Sequence, residues 1–381
     1  MEMIATGWLV LEITNSAWLV SLVDFYRSAP LLVLGFFSGQ VADRFGRRSV
    51  ILCSQGAILA VTVAILLLLW TGRLAFWHLA LSAVLLGTAW GVDWPARRAL
   101  LPDLVGRKRT MDGMLLEGFF QNIVRIIGPS GAGILIAFLG VTGCFAVLAG
   151  LSALALLILL GLSRQPAQPS GRSKKATPWT TMVEGLRYVR GHPTIPGVLL
   201  ITLTVNILVF PHQTLLPVFA RDILDQGPVG LGLLGAAGGI GAFVGLLVIN
   251  GLRRFLSPGW LYAGGSLFLS VAVVAFAAST SYPLSVALLI LSGMGHACFS
   301  VMQSTIVLTS SSDDMRDRAM GTLVLAIGGG PLGRLQTGAL AAAFGAPTAV
   351  GLPCAIAALT VLGVTAAFSG LRKGETQTDA P

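Results

Sequence analysis

The sequence predicts an all-α polytopic membrane protein, and three observations predict it. Of 381 residues 55% are hydrophobic and only 11% charged, with a mean hydropathy of +0.83, a balance no pair of soluble domains shows. Apolar runs long enough to cross ~30 Å of hydrocarbon at ~1.5 Å per residue recur from one end of the chain to the other. The basic residues gather in alternate loops between those runs, as cytoplasmic loops do.

The apolar runs read as spans over 1–13, 17–40, 49–70, 76–96, 114–138, 143–162, 196–219, 229–250, 258–278, 283–308, 319–343 and 346–369. With the N-terminus inside, 20 of the 25 Lys and Arg residues fall in cytoplasmic loops or the tail. Only Arg73 and Arg221 fall outside, while Arg27, Arg125 and Arg334 lie within spans. The first run is short, since a crossing helix needs about 20 residues. Gly7-Trp8-Leu9-Val10 with Thr14 and Ser16 reads as the second half of a first helix whose beginning is missing.

The longest polar stretch divides six spans from six. The expected organisation is a bundle over 1–162, a cytoplasmic linker over 163–195, a second bundle over 196–370 and a cytoplasmic tail over 371–381. Within the linker, Trp179, Met182, Val183, Leu186 and Val189 recur at helical spacing, with Glu184, Arg187 and Arg190 on the other face. Such an amphipathic helix lies on the inner membrane surface or packs on the protein. Two six-span halves fit parallel repeats about a membrane-normal axis.

Composition also excludes function classes. The net charge of +9 follows the loop bias, so no nucleic-acid partner is expected. Cys53, Cys144, Cys298 and Cys354 lie inside apolar runs, and His78, His192, His212 and His296 show no paired spacing. Neither a disulfide framework nor a metal site is expected, and no cofactor is implied. No Gly-rich phosphate loop ending in Lys-Ser or Lys-Thr occurs, so ATP-driven pumping by this chain is not expected, nor is an enzyme constellation. Gly328-Gly329-Gly330-Pro331 reads as a helix flexure instead.

The stretch Gly39-Gln40-Val41-Ala42-Asp43-Arg44-Phe45-Gly46-Arg47-Arg48 joins two apolar runs by a tight basic hairpin. Its pattern, G-x-x-x-D-R-x-G-R-R, resembles the loop between helices 2 and 3 of the major facilitator superfamily. In the second half Gly251-Leu252-Arg253-Arg254 keeps the basic pair without an acid. Further segments are similar to the branch of bacterial siderophore and macrolide exporters. They are Asp93-x-Pro95-Ala96-Arg97 with Leu101-Pro102, Glu184-Gly185-Leu186-Arg187-Tyr188-Val189, and Leu216-Pro217-Val218-Phe219-Ala220-Arg221-Asp222. Gly128-Pro129-Ser130-Gly131-Ala132-Gly133 resembles the antiporter motif of helix 5, with Ala132 in place of a glycine.

The resemblance implies the major facilitator fold, a transported small molecule and a cytoplasmic gate latch. Gly39, Asp43, Arg44, Gly46, Arg47, Asp93 and Arg97 would belong to that latch, with Asp43 facing the start of helix 11 near Ala319. Topology anchoring is the simpler reading of the same charges.

Charges inside spans are the functional candidates, because each costs a few kcal/mol unless paired or wetted. Asp24 and Arg27 stand three residues apart on one helical face, either as a local ion pair or as a proton site. Glu117, Gln121 and Arg125 form a polar stripe at successive i, i+4 steps that cannot face lipid. Glu117, near the cytoplasmic end, also reads as a merely solvated side chain. Arg125, deep in the span, calls for an anionic partner, either a structural pair or the substrate. His212 interrupts span 7, where a lone histidine is more often a hydrogen-bonded packing residue than a proton carrier. Arg334 in span 11 calls for an anionic partner. Trp90, Phe119, Phe120, Phe210 and Phe299 are candidates to line an apolar chamber, while each taken singly reads sooner as a lipid-facing or core residue.

The expectation is a monomeric exporter of an amphiphilic drug-like or siderophore-like molecule in the bacterial inner membrane. It would work by proton antiport and alternating access, with both termini cytoplasmic. A proton-coupled importer of a small solute and a non-transporting receptor or pseudo-transporter stand as alternatives.

Overall fold

A computed structural model describes the backbone of residues 1–106, 109–161, 178–312 and 315–373. Within it the side chains of 32–45, 99, 102–104, 110–111, 115, 178–183, 317 and 372–373 fall outside the described residues.

Every regular element among the described residues is helical, as hydrocarbon requires of a chain with few partners for its backbone amides. Helices α1 (Glu2–Thr14), α2 (Ala17–Phe45), α3 (Arg47–Trp70) and α4 (Phe76–Val105) follow the first four predicted spans. The hydroxyl of Ser16 caps α2, accepting the Leu19 amide. Gly46 is the whole connection between α2 and α3, and its φ of 81° explains why glycine stands there.

Helix α5 (Thr110–Gly161) carries both the fifth and sixth predicted spans across a break at Gly140, whose φ of 70° is non-helical. The linker contributes α6 (Pro178–Arg190). Span 7 is irregular: α7 (Ile195–Thr204), a π turn at Val205–Val209, a 3-10 turn at Phe210–Leu215, the short α8 (Leu216–Val218) and a second π turn at Phe219–Ile223. Pro211 accounts for the first irregularity, since it has no amide to offer the carbonyl of Ile207. Beyond it come α9 (Pro228–Leu252), α10 (Pro258–Ala278) and α11 (Tyr282–Ser310). Span 11 is broken into α12 (Arg316–Ile327) and α13 (Gly330–Phe344) at the run Gly328-Gly329-Gly330-Pro331, and α14 (Ala346–Ala367) and α15 (Ser369–Lys373) close the described chain. Eight of the described helical segments have the length and hydropathy of a membrane crossing.

The chain divides into two compact units, Met1–Ser173 with Gln226–Leu233, and Lys174–Asp225 with Leu234–Pro381. In the first, α4 packs on α2 and α3, and α5 packs on α3 and α1. The α2–α4 crossing is close because Gly87 lies against the Arg27 carbonyl, where a Cβ would come within 1.9 Å of the oxygen. Val50, Ile51 and Ala96 form an apolar seam between α3 and α4.

In the second unit α10 packs on α11 and α14, and α6 packs on α12. Gly185 of α6 sits against the Arg318 carbonyl, Val189 is buried, and Glu184 pairs with Arg318 at 3.2 Å. The amphipathic linker helix therefore docks on protein, which is the second of the two readings its sequence allowed. Gly333 lets α13 approach the carbonyl of Ile207 that Pro211 leaves without its helical donor; a Cβ there would stand 2.2 Å from that oxygen.

Candidate functional site

The charged residues of the first unit assemble into three groups. On α2, Arg27 pairs with Glu2 of α1, both side chains about a quarter exposed. The partner shown for Arg27 is thus on a neighbouring helix, whereas the sequence offered Asp24 of its own helix. Asp24 lies half-buried one turn earlier, and its carbonyl accepts the Ser28 hydroxyl at 2.9 Å.

The second group sits in the C-terminal half of α4. Asp93 is 6% exposed and binds Arg97 one turn on. Arg97 also donates to Oε1 of Gln55 at 3.2 Å, and Gln55 in turn donates to the Ser152 carbonyl of α5 at 3.3 Å. The Asp93 carboxylate therefore turns to its own helix and, through Arg97, to α3. Its other oxygen, Oδ1, is buried with no hydrogen-bond partner among the described residues. Arg48 reaches α5 instead, donating to the Leu160 carbonyl at 3.0 Å. Gly39, Asp43 and Arg44 are placed in α2 by their backbone, and their side chains lie outside the described residues; Gly46 and Arg47 are the turn and the start of α3.

The third group joins α4 to α5. Trp90 and Trp94 stack with ring centroids 6.0 Å apart, and the Arg98 guanidinium lies 4.2 Å from the Trp94 ring centroid. The same guanidinium stands 3.7 Å from Glu117 of α5, whose Oε1 accepts the Gln121 amide at 2.9 Å. One turn further along, Arg125 is exposed and makes no hydrogen bond or ion pair with any described residue. The stripe Glu117–Gln121–Arg125 read from spacing is present as one face of α5.

The second unit is built on neutral polar contacts. Tyr262 donates to the Val198 carbonyl at 2.9 Å and meets the Thr202 hydroxyl at 2.8 Å; Thr202 lies 3.2 Å from Gln303 Oε1. His212 is buried and its Nδ1–H donates to the Val209 carbonyl at 2.7 Å, the position of a packing residue. Phe210 packs on His296 and edge-on against Phe299. Phe299 is 1% exposed, so it belongs to the core and lines no chamber. Arg334 stands half-buried one turn into α13, beside Gly330.

Sequence reasoning passed over Glu2, Gln55, Trp94 and Arg98 as site residues. Trp90, Trp94 and Arg98 repeat at four-residue steps, so that face was legible. Glu2 and Gln55 gave no periodic signal; only the packing of α1 and α3 brings them to an arginine.

The model of the family described as transmembrane secretion effector, MFS_3, matches residues 1–381. The multidrug efflux pump Tap of Mycolicibacterium fortuitum is 29% identical over 379 residues, covering 96% of this chain and 90% of its own. The enterobactin exporter EntS of Salmonella choleraesuis (strain SC-B67) is 28% identical, covering 81% of this chain and 73% of its own. The staphyloferrin A transporter of Staphylococcus aureus (strain NCTC 8325 / PS 47) is 23% identical across 71% of this chain and 68% of its own. Among solved structures, the nucleoside transporter NupG superposes with a TM-score of 0.72 at 14% identity, over 96% of this chain and 94% of that one. A point mutant of the peptide transporter POT gives a TM-score of 0.74 at 15% identity, over 98% and 92%; at such identities the likeness shows the fold. The molecule is a multi-pass membrane transporter of a small molecule and not an enzyme. Helical architecture, family match and relatives agree that this chain belongs to the major facilitator superfamily, in its transmembrane secretion effector family.

Proposed function

We propose that this chain exports an amphiphilic small molecule across the bacterial inner membrane in exchange for protons, by alternating access, with both termini cytoplasmic. The observation that carries the reading is the Arg98–Glu117 pair at 3.7 Å on the tryptophan-bearing face of the first unit. Glu117 is the first carboxylate proposed to exchange a proton, with the Arg98 guanidinium as the charge beside it. Asp24, one turn from Arg27, is the second carboxylate proposed to exchange a proton. Relatives named as a multidrug efflux pump and an enterobactin exporter support the outward direction. Asp43, Arg44, Arg47 and Asp93 are proposed as the latch at the cytoplasmic hairpin, and the protein as a monomer.

Everted vesicles with an acid interior test this reading, with enterobactin and staphyloferrin A as the first probes. Accumulation that collapses with an uncoupler is expected. A loss of about a hundredfold or more is expected in Glu117→Gln and Asp24→Asn, the size a positioned proton-transfer group contributes at the low end. Asp43→Asn should abolish flux with little loss of expression. Unchanged pH dependence in the carboxylate variants removes them from the proton path. Accumulation in right-side-out vesicles alone identifies an importer, and flux in neither direction identifies a receptor.

A further inference from the structure

We infer that Arg125 and the Trp90–Trp94 stack form a binding face for one ligand class: a planar aromatic molecule bearing a negative charge. The inference rests on the transporter reading and names the substrate class.

Arg125 lies midway between Thr110 and the break at Gly140, about 22 Å along the helix from either end at ~1.5 Å per residue. A guanidinium in mid-span cannot snorkel to both an aqueous surface and its own backbone, and bare exposure to hydrocarbon costs several kcal/mol. Among the described residues it has neither an ion-pair partner nor a hydrogen-bond acceptor. The carboxylate on its own helical face, Glu117, is taken: Gln121 donates to it and Arg98 stands beside it. The face therefore carries one engaged anion and one unengaged cation, and the charge missing from it is negative. An arginine fork binds a carboxylate, sulfonate or phenolate in two parallel hydrogen bonds, which makes the anion's plane part of the recognition.

The aromatic half of the assignment comes from α4. Trp90 is 45% and Trp94 38% exposed, and they stack with an interplanar angle of 23°. Arg98 already lies on Trp94 and beside Glu117, which ties the tryptophan face of α4 to the polar stripe of α5. Trp94 already holds Trp90 and Arg98 against its ring, so the flat π surface offered to a ligand is that of Trp90, and Trp94 holds it in place. The open space at Gly118, where a Cβ would meet nothing within 4 Å, leaves the adjoining surface of α5 unobstructed.

Three isosteric naphthalenes test the assignment on the purified full chain in nanodiscs: 2-naphthoate, naphthalene-2-carboxamide and 2-naphthylmethylammonium, each titrated by quenching of tryptophan fluorescence. The naphthoate is expected to bind at least tenfold tighter than the amide. In Arg125→Gln that ratio should fall to about one while the amide keeps its wild-type affinity, which also certifies the fold. Arg125→Lys should retain part of the preference, and Trp94→Ala should weaken all three ligands together. Wild-type protein that binds the ammonium or the amide as tightly as the naphthoate overturns the inference, as does a preference that survives in Arg125→Gln, or no binding of any of the three. Binding is read without a proton gradient. A naphthoate that binds selectively but is not exported from energised vesicles therefore overturns the export reading alone.

Discussion

The two units meet the same problem, polar groups inside hydrocarbon, by different chemistry. In the first, arginines and carboxylates pair across helices: Glu2 of α1 with Arg27 of α2, and Glu117 of α5 with Arg98 of α4. In the second, the polar side chains within described spans are mainly hydroxyls, amides and a histidine: Tyr262, Asn206 and His212 donate to backbone carbonyls, and the Thr202 hydroxyl meets Tyr262 and Gln303. Packing differs between single helices rather than between the units, since α4 is 50% buried over its most apolar stretch and α14 33%. Of the most apolar 18-residue stretch of α10, 61% is buried, against 17% in α5. A charge pair answers to protonation and to an incoming ion, whereas a closed hydroxyl network answers to neither. Under the proposed mechanism, switching would fall to the first unit and scaffolding to the second.

The sharpest way to break the comparison is to add volume on each side of it. In the second unit Gly241 of α9 faces the Ile290 carbonyl of α11, where a Cβ would come within 1.9 Å of the oxygen. Gly241→Leu must push two backbones apart, at a cost of about 3 kcal/mol. Gly118→Leu on α5 meets nothing within 4 Å and should leave stability unchanged. Yield of monodisperse protein and its unfolding temperature compare the two; equal losses would show that α5 is packed as tightly as α9.

A subtler cut removes one oxygen from the hydroxyl network. Tyr262→Phe strips the donor from the Val198 carbonyl and a partner from Thr202, in a side chain that is fully buried. Interhelical hydrogen bonds of this kind are worth about 1 kcal/mol in membranes, so a modest drop in unfolding temperature is expected. If the second unit is scaffold, the pH dependence of transport should be untouched. A changed pH profile in that variant would move part of the switching into the second unit.

Much of this was legible in the sequence because hydrocarbon leaves the backbone one option. Span boundaries follow from apolar length, the Gly46 hairpin from a glycine between two runs, and the break of span 11 from Gly328 to Pro331. The α5 stripe was legible for the same reason: Glu117, Gln121 and Arg125 share a face by spacing alone. What spacing cannot carry is the identity of a partner on another helix. Arg27 was offered Asp24 because both lie on α2, and only the packing of α1 against α2 delivers Glu2. Asp93 likewise turned to Arg97 and, through it, to Gln55, a neutral residue whose role depends on where α3 crosses α4. His212 meets the Val209 carbonyl three residues back, a contact created by the irregular turns around Pro211 that spacing does not foretell.

The smallest effect expected concerns the one histidine placed outside the spans in the second unit. His192, between α6 and α7, accepts the Thr194 and Ile195 amides on Nδ1 at 3.2 and 3.4 Å, and its Nε2–H donates to the Ser310 carbonyl at 3.0 Å. Its neutral ring thus caps the first turn of α7, whose amides have no partner within the helix. Burial lowers its pKa, against a smaller opposing effect of the Ser310 carbonyl. In the unfolded chain the ring titrates near its ordinary value of about 6.5. Between the two values the unfolded state binds more protons, so stability rises with pH there and is lost as pH falls below about 6.5. Asn in place of His192 offers one acceptor and one donor but no titration. Wild type should therefore lose more unfolding temperature between pH 7.5 and 5.5 than His192→Asn, by something on the order of 1 °C, since a half-exposed ring is screened by water. Equal losses in the two proteins would mean that the cap does not titrate and that acid sensitivity resides in other groups, such as the paired carboxylates of either unit.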